Sequence, residues 1–435
     1  MAVYSLIGLP FAIKIFYSCI VDSIFIKWIG RRKTWIIFSQ TGIACILFIM
    51  GAYIERWLAN AEVYPITFLM FFLFLSISLQ DVATDGWIIT KLPVHLKGLT
   101  GPIQSFGIQI GVLVGFSGLT KVEEYLSLAD FCTYFALVMA FSTCLIAIFA
   151  AEEHEAQETP SLGQTYKQMA MISFVSPVAW LMLNLLIFNC IKACTNHGGI
   201  FALKLTDRGF KQEWIAEAEF ILMPMSMAFV WIIAPFVRRK PILFLFPIAI
   251  ATTIVNIASG FILYYYDDLV DSIKLIYFVT MGIDHLFTAA FYVSMGSFFA
   301  LIGDERIGGT YLSFLWSINN FSGKIWDGWI TFFTGAMESF PMFETKSNSS
   351  ELSFESHEIE PYHVTLIFPL VAALVWFLTQ SKIVLRLHKL SSDKSAWLVS
   401  PENVPNCLKS CISNNQTADK DDLLEDKSLA KSLDN

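Results

Sequence analysis

The sequence predicts an all-α polytopic membrane protein with about eleven transmembrane helices, and three observations predict it. Of the 435 residues, 55% are hydrophobic and 15% are charged, whereas about a quarter of a soluble domain is charged. Eleven stretches each supply roughly the 20 mainly apolar residues that a spanning helix requires. The loops between them alternate in character, basic on one side and acidic on the other.

The candidate spans lie near 3–25, 34–54, 64–90, 99–120, 131–151, 171–196, 217–237, 241–265, 273–301, 309–335 and 362–386. The first is not a secretory signal, because it lacks a basic leader and Lys14 and Asp22 interrupt its apolar core. Pro10, Gly107, Gly111, Gly115, Pro177 and Pro224 suit helices that bend or pack closely. The polar connection 152–168 divides an N-terminal bundle of five spans (1–151) from a C-terminal bundle of six (169–386). Residues 387–435 are polar and read as a disordered tail.

Lys27, Arg31, Arg32, Lys33, Lys91, Lys97, Arg238, Arg239, Lys240, Arg306, Arg386 and Lys389 fall on one side, which the positive-inside rule makes cytosolic, with the linker and tail. The opposite loops carry Glu55 with Arg56, Glu123-Glu124, Lys204 to Glu213, Asp267-Asp268 and Glu338 to Glu360. Asn348-Ser349-Ser350 is a glycosylation acceptor on that far side; Asn415-Gln416-Thr417 also matches, within the tail. Eleven spans and a cytosolic C-terminus put Met1 on the far side. Two halves of six are the usual plan for a carrier, so a first helix is expected to be missing.

Composition excludes several classes. The net charge of −8 arises largely from loops and tail, and nothing supports nucleic-acid binding. Cys19, Cys45, Cys132, Cys144, Cys190 and Cys194 lie in apolar segments as small hydrophobes, and Cys407 and Cys411 are candidate palmitoylation sites in the tail. The spacings suggest neither a disulfide framework nor a zinc site. With no nucleophile–base arrangement, Walker loop or metal cluster, no enzyme activity and no cofactor are expected.

The informative residues are charges placed where oil should be. Asp81 and Asp85, in Gln80-Asp81-Val82-Ala83-Thr84-Asp85-Gly86-Trp87, lie four residues apart and share one helix face. A carboxylate facing lipid costs about 2.5–3.5 kcal/mol or more, so the pair turns inward or lies at the interface. Repulsion between them favours a shared proton or a cation held between them; an interfacial cap is the plainer alternative. Asp22 precedes Gly30-Arg31-Arg32-Lys33 across a short loop. Arginine beside a carboxylate at helix ends forms a charge-assisted latch that can break as bundles rock.

The Asp-x(7)-Gly-Arg-Arg-Lys pattern resembles the cytosolic signature of the major facilitator superfamily. Gln80 to Trp87 resembles the hallmark of the acetyl-coenzyme A transporters, solute carrier family 33. Further similarity lies in Pro10 to Lys14 with Val21-Asp22, in Lys192 with Gly199 to Leu205, in Tyr292-Val293-Ser294 and in Ile307 to Tyr311. Bacterial anhydromuropeptide permeases share a looser Gln-Asp-x(3)-Asp pattern. Two departures stand out. The family's first helix has no counterpart, and Lys324 stands where the family more often has a neutral polar residue.

The resemblance implies a secondary transporter that moves acetyl-coenzyme A from cytosol to the lumen of the endoplasmic reticulum or Golgi, with coenzyme A as an exchange substrate. A proton-coupled muropeptide or sugar-conjugate permease and a non-transporting scaffold are the alternatives, and a homodimer is left open. Acetyl-coenzyme A carries roughly four negative charges near neutral pH. Lys14, Lys192 and Lys324, with His285, are the candidate cations within spans. Lys14 could instead neutralise Asp22, and His285 could serve only as a structural hydrogen-bonding group with Asp284 as local partner. Trp87, and also Trp316 and Trp326, are candidates to stack on adenine, although interfacial belts account for most membrane tryptophans. Glu217 and Glu219 fit a helix N-terminus. Asp22, Arg31, Arg32, Asp81 and Asp85 are assigned to gating or coupling.

Overall fold

The computed structural model describes residues 7, 9–93, 95–118, 126–150, 161–193, 200–266, 269, 272–338, 359–400 and 402–404. Outside the described residues lie Glu123-Glu124, Glu152-Glu153, Cys194, Asp267-Asp268, the Asn348 acceptor, Cys407, Cys411 and Asn415.

Helical rods occupy all eleven expected positions. In the N-terminal half these are α1 (Leu9–Ser23), α2 (Arg31–Ala59), α3 (Val63–Lys91), α4 (Thr100–Val112) and α5 (Leu128–Phe149). α4 runs on as a π-helical turn, Leu113–Gly118. The C-terminal half contains α6 (Leu162–Ile172), α7 (Ser176–Lys192), the short α8 (Ile200–Asp207), α9 (Gln212–Val237) and α10 (Leu245–Tyr264). It is completed by α11 (Ile273–Ile302), α12 (Gly308–Glu338) and a last rod, α13 (Pro361–Thr365), α14 (Ile367–Val375) and α15 (Ser381–Leu390). Among the described residues, seven helices are long and apolar enough to cross a membrane, or eight with α6 and α7 as one bent span. The difference from eleven has a physical cause. α1, with 15 helical residues, and α4, with 13, are short of a full span, and α12 carries Asn319, Asn320, Lys324 and Asp327 because it faces other helices.

Three sequence-based boundaries shift. Part of the expected linker is helix: Ser161 and Gln164 form a reciprocal capping box that starts α6. α6 packs against α1, where Ser23 and Thr165 hydroxyls lie 2.7 Å apart and Tyr166 donates to the Phe16 carbonyl. The span expected at 171–196 is bent by 60° between α6 and α7, with Pro177 in the first turn of α7 where its missing N–H costs nothing. Order also extends past 387. α15 continues to Leu390, and a 3₁₀ turn (Lys394–Trp397) buries Trp397 completely.

α12 sits at the seam between halves, packing on α1 and α3 on one side and on α7 on the other. α4 packs on α9 and α11 across the same seam. Glycines allow this approach. A Cβ on Gly101 would lie 2.0 Å from the Val293 carbonyl oxygen, and one on Gly296 would lie 2.9 Å from Gly101 Cα. Small residues at helix contacts let backbones meet where no hydrophobic force drives helices together.

Candidate functional site

The two ends of the molecule differ. At the end where the basic residues gather, the halves are tied together. Gly30 has φ of 110°, a left-handed value that favours glycine, and it turns the chain so that Arg31 and Arg32 open α2 beside Asp22. Arg32 pairs with the Asp22 carboxylate. Arg31 Nε donates to the Asp22 carbonyl at 2.7 Å, and its Nη2 donates to the Arg306 carbonyl at 2.8 Å, across the seam. The Thr310 backbone N–H donates to Asp22 Oδ2 at 2.7 Å, also across the seam. Asp22, Arg31 and Arg32 are all buried. Pairing and several hydrogen bonds offset the desolvation that would otherwise make such burial costly.

A second clasp lies beside it. Lys97, between α3 and α4, donates to Glu305 at 2.8 Å, and Glu305 also accepts from Lys394 at 2.9 Å. Burial favours the neutral form of Glu305, but hydrogen bonds and charge from Lys97 and Lys394 outweigh it and lower its pKa. Burial lowers the pKa of Lys97 despite the pull of Glu305. Ser297 donates to the Gly98 carbonyl at 2.8 Å. The ordered C-terminal segment braces the same end: Tyr311 donates to the Trp397 carbonyl at 2.9 Å and Arg306 to that of Val399 at 3.4 Å. At the opposite end Lys204 pairs with Glu338, Arg208 with Glu360, and Lys274 with Glu217 at 2.8 Å. Those three pairs all lie within the C-terminal half.

Between the halves lies a cavity of about 660 Å³, within the range of small-molecule sites. α1 contributes Phe11 and Lys14, and α3 contributes Gln80, Asp81, Thr84 and Asp85. Gln104 and Ser105 on α4, Tyr292 on α11, and Trp316 and Asn320 on α12 complete its polar and aromatic lining. Lys14 Nζ donates to Asp81 Oδ2 at 2.9 Å; the lysine is buried, while the Asp81 side chain is 40% exposed to the cavity. Asp85 is buried and accepts from Gln104 Nε2 at 2.8 Å. Each carboxylate thus has its own hydrogen-bond partner while Lys14 lies in the field of both, and Lys14 pairs with Asp81 instead of Asp22. The arrangement can release and recapture a cation: an anion entering the cavity competes with Asp81 for Lys14.

The other expected residues fall elsewhere. Trp87 packs against the cluster of Val21, Ile36, Val82 and Ala83 and is not part of this cavity's lining, so the stacking role does not hold there. Trp87 is two residues beyond Asp85, about 200° around the helix, which puts it off the carboxylate face. Lys192 lies one layer behind the wall, its Nζ 4.0 Å from the Phe291 ring centre and 5.3 Å from that of Tyr292. Asp284 and Asp327 are the acids whose fields act on it. His285 Nε2 meets Glu219 Oε2 at 3.2 Å, so Glu219 is its contact partner where Asp284 was expected. Lys324 lines a separate groove of about 780 Å³ with Trp326, Trp329 and Phe368. Trp326 donates its indole N–H to the Leu186 carbonyl at 2.8 Å.

Sequence reasoning missed Gln104 and Asn320 as cavity residues. The available signal was an amide inside an apolar span. It also missed a buried amide network: Asn189 donates to Ser322 at 2.7 Å, and Asn184 bridges Gln380 and Trp376 at 2.9 and 3.1 Å. Trp376 and Gln380 bound a π-helical turn, a device that re-aims side chains and recurs at functional sites.

Transporters are among the solved structures that share this helix arrangement. A bacterial homologue of the iron transporter ferroportin, in its outward-facing state, matches with a TM-score of 0.60 at 10% identity, covering 89% of each chain. FucP, a major facilitator superfamily transporter in the outward conformation, matches with a TM-score of 0.52 at 14% identity, covering 89% of this chain and 90% of its own. This chain has the major facilitator fold. Residues 1–139 match the family model described as acetyl-coenzyme A transporter 1, which bears out the resemblance over the portion carrying the Asp22 latch and the Asp81–Asp85 motif. Curated relatives are distant. An uncharacterised protein of Schizosaccharomyces pombe is 23% identical over 351 residues, 74% of this chain and 66% of that one. An uncharacterised membrane protein of Saccharomyces cerevisiae is 22% identical, covering 53% of this chain and 52% of its own. The anhydromuropeptide permease of Escherichia coli is 26% identical over 47% of this chain and 40% of its own. The chain therefore spans between two fifths and two thirds of the length of these relatives.

Proposed function

We propose that this multi-pass protein is a secondary transporter that carries acetyl-coenzyme A from cytosol to the lumen of the endoplasmic reticulum or Golgi by alternating access. The observation that carries this reading is the Lys14–Asp81 pair facing a cavity between two halves whose ion pairs across the seam, among the described residues, lie at the basic end. A thioester with roughly four negative charges displaces Asp81 from Lys14. Asp81 and Asp85 would then face the cargo as like charges, which suits the gating or coupling role assigned to them. Breaking the Asp22 latch and the Glu305 clasp opens the basic end for reloading, with free coenzyme A as the exchange partner.

One observation favours a second reading. Lys14 stands against two carboxylates in the cavity, and amides and rings fill much of the remaining wall. That lining also suits a sugar conjugate of low charge, as the similarity to the anhydromuropeptide permease suggests. Proteoliposomes under an imposed proton gradient separate the two. Uptake of labelled acetyl-coenzyme A that excess anhydromuropeptide leaves unchanged supports the first. Uptake of labelled anhydromuropeptide without uptake of acetyl-coenzyme A establishes the second and overturns the first.

A further inference from the structure

At the basic end, α9 turns through Arg238-Arg239-Lys240 into the 3₁₀ segment Pro241–Phe244 and then α10. The turn leaves a groove of about 420 Å³ walled by Pro235, Phe236, Leu243, Phe244 and Pro247, with Arg239 and Lys240 at the same groove. Phe236 is 65% exposed. Arg239 and Lys240 are exposed too, and neither makes a hydrogen bond or ion pair through its side chain among the described residues. Arg238 faces elsewhere: a Cβ on Gly98 would come within 2.5 Å of its Cγ, so it packs on the connection between α3 and α4.

The basic character continues on the neighbouring helix. α15 packs on the 3₁₀ segment, and His388 on α15 lies in the field of Lys240. Lys382, Arg386 and Lys389 follow one another at helical spacing on the face opposite buried Val384 and Leu387, and all three are exposed. None of the three makes a described ion pair through its side chain either. A free anion would satisfy the cations but leave the apolar walls wet. A neutral lipid would fill the walls but leave the cations unmatched. A molecule of the membrane edge that answers both is an anionic phospholipid, its headgroup on Arg239 and Lys240 and an acyl chain against Phe236 and Phe244.

We infer that this groove binds an anionic diacyl phospholipid from the adjoining leaflet. Because Arg238 packs on Gly98 and the neighbouring Lys97 is tied to Glu305, an occupied groove braces the closed basic end.

The test is native mass spectrometry of the full chain in detergent with equimolar dioleoyl phosphatidylinositol and dioleoyl phosphatidylcholine. The phosphatidylinositol adduct dominates, and R239Q/K240Q lowers it about 25-fold, roughly five-fold per cation. Phe236→Ser lowers it while keeping both cations, which separates loss of the chain contact from loss of charge. Lys27→Gln, removing an exposed cation outside the groove, leaves it unchanged, and glycerophosphoinositol without acyl chains gives no adduct. Equal adducts with wild type and R239Q/K240Q, an equal loss in Lys27→Gln, or equal binding of the chainless headgroup would overturn the inference.

Discussion

Lys14 and Asp81 illustrate how a buried charge takes on a function. Lys14 is 3% exposed, and removing its partner leaves an ammonium in a poorly solvated wall. Lys14→Ala therefore deletes the cavity's cation, and acetyl-coenzyme A uptake should fall about 10- to 100-fold, the worth of one charge-assisted hydrogen bond; initial rates in proteoliposomes measure it. Gly101→Ala tests the seam. With the Val293 oxygen 2.0 Å from the added Cβ, the α4–α11 contact must spread, at a cost of about 1–3 kcal/mol, read as a lowered unfolding midpoint. At this scale the sequence disclosed which residues needed partners but not which partners they found. Asp22 with Arg31 and Arg32 was legible because all three fall close together in the chain. The Thr310 N–H that completes the latch lies 288 residues away, and Gln104, the partner of Asp85, resembled any amide in an apolar span.

Helices and connections carry the next layer. Glu305 joins three segments: the α3–α4 connection through Lys97, the α11–α12 turn on which it sits, and the C-terminal segment through Lys394. Glu305→Gln removes the shared charge, and spin-label distances across the basic end should broaden toward longer values. The pH dependence has a definite sign. A carboxyl whose pKa is lowered in the clasp contributes stability above its ordinary value of 4.5 and loses it as pH falls through the lowered one. Lys97 is lowered from 10.5 by burial, so the cost of keeping it charged is relieved, and stability rises, as pH climbs from that lowered value to 10.5. Between pH 5 and 8 the same distances should not change because of Glu305 titration, and a transition there that Glu305→Gln abolishes would contradict this. Helix positions were readable from apolar run length, which a bilayer dictates. The bend before α7 and the order beyond 387 were not, because a polar segment acquires order from the surface it docks on. Trp397 packs edge-on against Phe298 at 5.6 Å, and Trp397→Ala should cost about 3–5 kcal/mol, detected by thermal unfolding of the full chain.

Among the described residues, the two ends of the whole molecule are unequal. Buried charges and glycine contacts tie the halves at the basic end, and the cavity with its exposed acid lies between them. The fold class followed from composition and span count because those are bulk properties. The cavity did not, because it is assembled from α1, α3, α4, α11 and α12, whose proximity depends on how the halves meet. Cargo binding in the cavity can be read from protection of a single cysteine, Asn320→Cys, in a cysteine-free background. Asn320 is exposed within the cavity. A water-soluble thiol reagent should label this cysteine, and acetyl-coenzyme A should slow labelling in the Lys14 protein but not in Lys14→Ala. A cysteine that stays unlabelled, or that acetyl-coenzyme A leaves equally reactive in both proteins, would contradict cargo binding there.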